Sequence, residues 1–544
     1  MKQLVKNRKK ILYVLCFALL CLIDQRKGSV TGNMQLFWSN CTGLFLAPII
    51  FSHYSIKDFG KKRYLIWAVV SLLCFTGFRG MAQRMGVEVP WPNVQLYSAF
   101  ANIFVYGFLI IRTISEMWGK PFRVKQRFIS IFMCVMLLIM GLSRNDSIWP
   151  WYFLMVFGTF SFTDFSQEER KSLAYALADG IILGFFCVQG AAFVFRPYDE
   201  IRYLGMYANP NINALFYSIV YCAILVRLFF FLFEYSGKGK KTLVCIAMFF
   251  SGAMWSFCLL TGCRTALLSM GAVTCVAGLL SLFRFRKLVA LKGIGMVVGL
   301  VCCIVVSFPI VYGCVRYIPA YFHHPVWFFE EYSEEKVHSW DPMDSEKYID
   351  METAMEYLLE RVLGITLSEG EENTLVNGNY RFPLLCSTAE AISVEEVQEP
   401  LLPAEANSTV DRYHIYKYYV SKLNILGHLN EENGVLVDVS YYAPHAHNLY
   451  LQQAFDFGIL VGVLFLVYLV LNSLYLCKVT VETKNSGNMG HLMLQVNGCV
   501  FGLFEMMWKN GYLAFTLLFL TACIMIRGIE NRSIRDGKEE IEKW

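Results

Sequence analysis

The chain has 544 residues, of which 56% are hydrophobic, 16% aromatic and only 17% charged, with a formal net charge of +5. A mean hydropathy of +0.44 excludes an ordinary soluble domain, because so many apolar runs of near-spanning length cannot all be buried in an aqueous core. A helix needs about 20 apolar residues to cross the hydrocarbon, so the sequence predicts an all-α integral membrane protein.

In chain order, the first candidate span is 10–24, after the basic stretch KNRKK. It has the apolar run of a signal peptide, but no small-residue cleavage site follows it and further spans do, so it is read as the first membrane helix. Apolar segments at 36–52, 64–80, 95–113, 127–143, 148–164, 173–195, 211–233, 242–262, 265–283, 289–313, 449–477, 491–508 and 511–527 bring the prediction to about 14 spans. The stretches KNRKK, KDFGKKR, GKPFRVKQR, EERK, GKGKK, RFRK and RGIENRSIRDGK then all fall on one side. Short connections on the other side carry about a third as many basic residues, which predicts a cytoplasmic basic side with both termini on it. No repeat of 20–50 residues and no inverted pair of hydropathy blocks is evident.

This divides the chain into helices 1–11 over 1–313, an outer loop domain over 314–446, helices 12–14 over 447–527 and a cytoplasmic tail over 528–544. The loop segment, roughly 130 residues, is too long for a plain connection. It holds about 23 Asp and Glu against about 8 Lys and Arg, which leaves the membrane-embedded remainder strongly basic. Within it, DMETAMEYLLERVL and DRYHIYKYYVSKLNIL have apolar residues three and four apart and predict amphipathic helices that lie across the membrane mouth. The sequon NST at 407–409 matters only in a host that glycosylates such sites. Of the 18 cysteines, most fall in apolar helices and behave as small hydrophobes; Cys263, Cys314 and Cys386 are placed outside. Their spacing matches neither a disulfide framework nor a zinc site, so no metal and no cofactor is expected.

Three outer clusters hold polar groups. The first, RYLGMYANPNINAL at 202–214, opens the eighth span. Asn209 reads as a helix cap with Pro210 in the first turn, but Asn211 and Asn213 need partners, and Arg202 lies just before them on the same side. The second, TGCRTALLS at 261–269, puts Arg264 in a short outer turn. There it either snorkels to the headgroups or offers its planar fork to phosphate oxygens. The third is HAHNLYLQQAFDFG at 445–458. His447 and Asn448 stand at the entry to the twelfth span, where a helix dipole favours an anion; the plain alternative is a capping Asn beside an interfacial His. His445 reads as a surface neighbour. Asp179 and Glu505 are the obvious mid-span acids, and bundle packing accounts for them.

These motifs together resemble the O-antigen ligase and polymerase superfamily, membrane glycosyltransferases acting on polyprenyl-diphosphate-linked glycans at the outer face of bacterial cytoplasmic membranes. ANPNINAL is similar to its Asn-Pro-Asn helix entry and GCRTALLS to its Ser-Arg motif, with Cys263 where serine is usual. DRYHIYKYYVSKLNILG is similar to the arginine-led aromatic helix of its large loop, here beginning with Arg412. HNLYLQQAFDFG matches best, with His447 and Asn448 followed after nine residues by Gly458, although Val461 departs from the small or hydroxylated residue often found three further on. The resemblance covers about residues 200–470.

It implies a GT-C-like membrane fold and metal-independent, inverting transfer from a lipid-diphosphate donor to a glycan acceptor, in surface polysaccharide synthesis. His447 would be the base and Arg264 the group that stabilises the leaving diphosphate. Arg202, Asn209, Asn211, Arg412 and Asn448 would bind substrate. The expected partners are the donor, the acceptor and the bilayer, with no nucleic acid. A polymerase is preferred to a ligase because it needs no second acceptor molecule. A lipid-linked glycan flippase predicts polar residues through the midplane and internal repeats; a non-catalytic scaffold predicts that Arg264 and His447 are dispensable.

Overall fold

The computed structural model describes residues 2–22, 41–85, 94–118, 124–195, 202–207, 209–284, 289–322, 351–359, 408–429, 434–438, 441–443, 445–505 and 513–526. Most of the predicted loop domain, including Cys386 and Asn407, and the basic tail after 526 lie outside the described residues. The described chain is predominantly helical. In order come α1 (Lys2–Leu20), α2 (Thr42–His53), α3 (Lys62–Arg84), α4 (Val94–Met117), α5 (Val124–Gly141), α6 (Trp149–Phe162), α7 (Gln167–Phe195), α8 (Pro210–Phe233) and α9 (Lys240–Leu260). There follow α10 (Arg264–Arg284), α11 (Val289–Phe322), α12 (Met351–Leu358) and α13 (Ser408–Ser421). A small antiparallel hairpin, β1 (Val435–Asp438) and β2 (Tyr441–Ala443), precedes α14 (Leu449–Phe457), α15 (Ile459–Thr483), α16 (Ser486–Phe501) and α17 (Leu513–Ile524).

Among the described residues, eight helices are long and apolar enough to cross a membrane: α3, Leu96–Met117 of α4, α7, α8, α9, Arg264–Ser281 of α10, Gly295–Phe322 of α11, and α15. Their surface behaves as a lipid-facing one. Leu65, Leu72 and Leu73 on α3, Val301 and Val305 on α11, and Leu460 and Leu474 on α15 are exposed apolar side chains on uninterrupted helices, which water would penalise and acyl chains accept. The chain is therefore a multi-pass helical membrane protein. The other predicted spans coincide with shorter helices (α2, α5, α6, α16, α17) or, in α1, with a helix whose first half is basic.

The core centres on α8, which is buried along most of its length and packs against α7, α9, α10, α16 and α17. Two buried or half-buried arginines are paired across helices. Arg227 of α8 pairs with Asp179 of α7, with Lys10 of α1 3.8 Å from the same carboxylate. The fully buried Arg170 donates to the Cys523 carbonyl at 2.8 Å, a free carbonyl at the end of α17.

Three boundaries differ from the sequence prediction. The segment 449–477 is two helices, because the chain breaks at Gly458, whose φ of 98° is open to glycine. A Cβ there would run into the Ile425 carbonyl oxygen, so the break lets the loop segment after α13 lie against the chain. Ile459 N donates to Asn424 O at 2.8 Å and His428 N to Asp456 O at 3.0 Å. Next, α16 ends at Phe501 rather than running to 508; Gly502 N and Glu505 N close its last turns onto Gly498 O and Phe501 O. Glu505 is therefore not a mid-span acid but part of the turn that follows. Finally, α11 continues to Phe322, so Cys314 lies in a helix and not in the loop.

Candidate functional site

The site is assembled by helix ends. Asn209 caps α8 in an extended conformation, its Oδ1 accepting from Asn211 N at 2.7 Å, and Pro210 occupies the first turn where no N–H is missed. That cap frees the Asn211 side chain to turn outward from the first turn. Its Oδ1 accepts from Arg202 Nη2 at 2.5 Å, and its Nδ2 donates to Glu505 Oε1 at 2.9 Å. Arg202 is held from behind, its Nε donating to the Thr261 carbonyl at 2.8 Å at the end of α9, while Tyr203 N donates to Leu260 O at 2.9 Å. Asn213, the third amide of the motif, is buried and turns back, donating from Nδ2 to Tyr203 O at 3.3 Å. The first and second sequence clusters are thus one piece of structure.

The third is brought in by the turn after α16. Leu449 N donates to Gly502 O at 2.8 Å, and the Asn448 side chain donates from Nδ2 to Leu503 O at 2.8 Å while its Oδ1 caps α14 on Leu451 N at 2.9 Å. The two strands of chain are pinned together, and Glu505 comes to face His447, with Oε2 3.9 Å from Nδ1. The helix that His447 and Asn448 open is therefore the nine-residue α14, and not a membrane span as the sequence predicted.

The loop helix α13 supplies the last member. Ile415 and Tyr419, four residues apart, are buried against Ala446 and Phe455, with the Tyr419 and Phe455 rings 4.7 Å apart. Arg412 and Tyr416, also four apart, form the neighbouring edge. Arg412 Nη2 lies 3.5 Å from Glu505 Oε1, and the Tyr416 hydroxyl donates to the His447 carbonyl at 3.4 Å. Burial pushes the Tyr416 phenol up, Arg412 opposing and Glu505 adding to it, so Tyr416 is a neutral donor at ordinary pH.

His447 itself is held in the left-handed region at φ 47°, which few non-glycine residues adopt. Its N–H points at His445 Nδ1 at 3.4 Å, and the two rings stand 4.2 Å apart. His445 is half-buried beside it. A non-glycine residue in that conformation is kept only where its surroundings over-determine it, and such positions gather at functional sites.

Cys263, buried in the turn between α9 and α10, has its thiol pushed up to about 11 by burial first and then by Glu505, with Arg202 opposing. Next to it Arg264 opens α10 with its side chain exposed. Arg202, Asn211, Arg412 and His447, taken separately from the sequence, therefore meet through Glu505. Asn209 and Asn448 stand beside them as caps that shape the backbone. Sequence reasoning missed Glu505, Tyr416 and His445. The available signal for Glu505 was Gly502 in FGLFE, which ends a helix and moves the acid to the same level as the three clusters.

Among the described residues, Arg412 and His447 thus face the Glu505 carboxylate, Arg202 is bonded to its partner Asn211, and Arg264 opens the neighbouring helix, a set of cations at helix ends whose chemistry suits a phosphate or diphosphate. Compared with protein-family models, with curated proteins and with solved structures, the chain matches none.

Proposed function

We propose that the chain is a membrane glycosyltransferase that transfers a glycan from a polyprenyl diphosphate to an acceptor sugar, in surface polysaccharide synthesis at the outer face of a bacterial cytoplasmic membrane, with a polymerase favoured over a ligase. The observation that carries this reading is the meeting of Asn211, Arg412 and His447 at one carboxylate, with Arg202 bonded to Asn211 and, behind it, to the Thr261 carbonyl of segment 261–264. These residues lie in the four stretches in which the sequence resembles one family, and chance resemblance gives no reason for them to touch.

In the proposed reaction His447 Nε2 takes the proton of an acceptor hydroxyl while that oxygen attacks the anomeric carbon. The bond from that carbon to the diphosphate oxygen breaks, its electron pair leaving with the polyprenyl diphosphate. Attack from the opposite side inverts the anomeric centre. The arginines stabilise the charge that grows on the leaving group, Arg264 and Arg412 from exposed positions and Arg202 from a fixed one, an effect that a preorganised site enlarges. Tyr416, bonded to the His447 carbonyl, and α13 stand beside the histidine, so that a bound glycan would exclude water as a competing acceptor there.

The test is to incubate the purified chain with a lipid-diphosphate oligosaccharide and resolve the products on a gel. A ladder of regular steps is expected; transfer only on adding a different acceptor means a ligase, and movement of the lipid-linked glycan across the bilayer without transfer means a flippase. His447→Ala, at matched protein level, should lower transfer by about 10²–10⁴-fold, the usual contribution of a positioned base. Transfer near the normal rate in that variant would sink the assignment.

A further inference from the structure

Glu505 is surrounded by donors, yet its two oxygens are used differently. Oε1 accepts from Asn211 Nδ2 at 2.9 Å and faces Arg412 Nη2 at 3.5 Å. Oε2 is turned to His447, and to a particular atom of it, Nδ1 at 3.9 Å. In a neutral imidazole one nitrogen carries the proton and the other the lone pair, and the group facing one nitrogen sets the role of the other. A carboxylate facing Nδ1 selects the Nδ1–H form and leaves Nε2 with the lone pair. The separation exceeds a hydrogen bond by less than 1 Å, and such contacts are often long until substrate is bound.

The backbone of His447 gives the pairing a fixed base. Tyr416 donates to its carbonyl, His445 Nδ1 faces its N–H, and the next residue is pinned to Leu503. With φ held at 47°, the ring has little freedom except about its own side-chain torsions. Its side chain is 22% exposed and that of Glu505 12%, so the histidine looks outward while its partner sits behind it.

We propose that Glu505 is the positioning carboxylate of His447: it fixes the Nδ1–H tautomer, presents Nε2 as the base, and balances the imidazolium that forms on protonation. What Nε2 acts on rests on the glycosyltransferase reading; the pairing does not. Asn211 and Arg412 hold Oε1 and so aim Oε2. The titratable and charged groups around the histidine are Glu505 and His445 at its ring, Tyr416 on its backbone carbonyl, and Arg412 across the Glu505 carboxylate. Glu505 favours the protonated ring, Arg412 opposes it, a protonated His445 opposes it, and neutral Tyr416 does neither. Cys263 senses the carboxylate, and Arg202 is bonded to the Asn211 amide behind it.

The test uses the full chain in lipid nanodiscs and diethyl pyrocarbonate, which reacts with the unprotonated imidazole nitrogen. Reaction at His447 is followed from pH 5 to 8.5 by mass spectrometry of its peptide. His428, stacked on Phe455 at 3.9 Å and bonded to its carbonyl, serves as the control for folding of the same region. In Glu505→Gln the pH profile of reaction at His447 should move to lower pH while that of His428 stays put, and Glu505→Asp should recover part of the change. An unmoved profile at His447 with His428 unchanged would overturn the pairing.

Should Glu505→Gln disturb His428 as well, the unmutated chain decides. With ¹⁵N-labelled histidine, assigned by loss of the signal in His447→Gln, the neutral ring should be in the Nδ1–H form; an Nε2–H form overturns the proposal. Absence of transfer by the wild-type chain on every donor would remove the glycosyltransferase reading and leave these measurements intact. Transfer with an unmoved profile would do the reverse.

Discussion

At the scale of single residues, the site shows how much an amide or a thiol depends on its neighbours. Asn209, Asn211 and Asn213 lie within five positions and take three separate roles: cap, bridge between Arg202 and Glu505, and anchor of the Tyr203 turn. The sequence makes the cap legible, since Asn before Pro at a helix start has a local cause. It makes the need for partners legible too, and Arg202 nine residues before Asn211 is within local reach, but the second partner, Glu505, comes from 294 residues away and has no local signature. Cys263 carries a prediction of its own. With the thiol pushed up to about 11, on the order of one molecule in a thousand is thiolate at pH 8. Maleimide labelling of Cys263 in the folded chain should therefore be negligible at pH 8 and appear only on unfolding, as read by mass spectrometry of its peptide. Rapid labelling of the native protein would contradict the burial described.

At the scale of elements, helix propensity and hydropathy placed most helices to within a few residues and failed where another backbone intrudes. The run from 449 to 477 is apolar and continuous, and nothing local requires it to stop at Gly458. The reason for the stop is the segment 424–428, itself kinked at Gly427 with φ 84°, which docks by hydrogen bonds to Asp456 and Ile459. A helix predicted within 411–426 is present as α13, with Ile415 and Tyr419, four residues apart, on its buried side. Gly458→Ala should cost about 1–3 kcal/mol from the positive φ alone, and more where the Cβ meets the Ile425 carbonyl. A lower melting temperature in detergent, followed by tryptophan fluorescence, checks it; an unchanged melting curve would mean that the loop segment is not docked there.

At the scale of the whole molecule, a bilayer protein gains little from burying apolar side chains against one another, so matched polar groups and close packing matter more. The Arg227 and Asp179 pair, with Lys10 beside it, ties α8, α7 and α1 together. Asp179→Leu would leave a guanidinium among apolar helices, a loss of about 3–5 kcal/mol for a pair broken on one side. The double variant Asp179→Leu with Arg227→Leu should recover most of it, since two apolar groups replace two charges. Yield of folded protein by size-exclusion chromatography measures both; an undiminished single variant would show that the pair is solvated.

The sequence alone determined that this chain is a helical membrane protein, where most helices lie, that 202–214, 261–269 and 445–458 hold polar groups out of keeping with their surroundings, and that 411–426 has helical spacing. Those properties follow from composition and short-range periodicity, which any stretch of chain carries with it. Only the tertiary structure decided that these stretches meet, that α14 and α15 part at Gly458, and that Glu505 stands between Asn211, Arg412 and His447. The physical reason is that a charge in a low-dielectric bundle is placed by its partners, and partners chosen across hundreds of residues leave no pattern in the order of the residues between them.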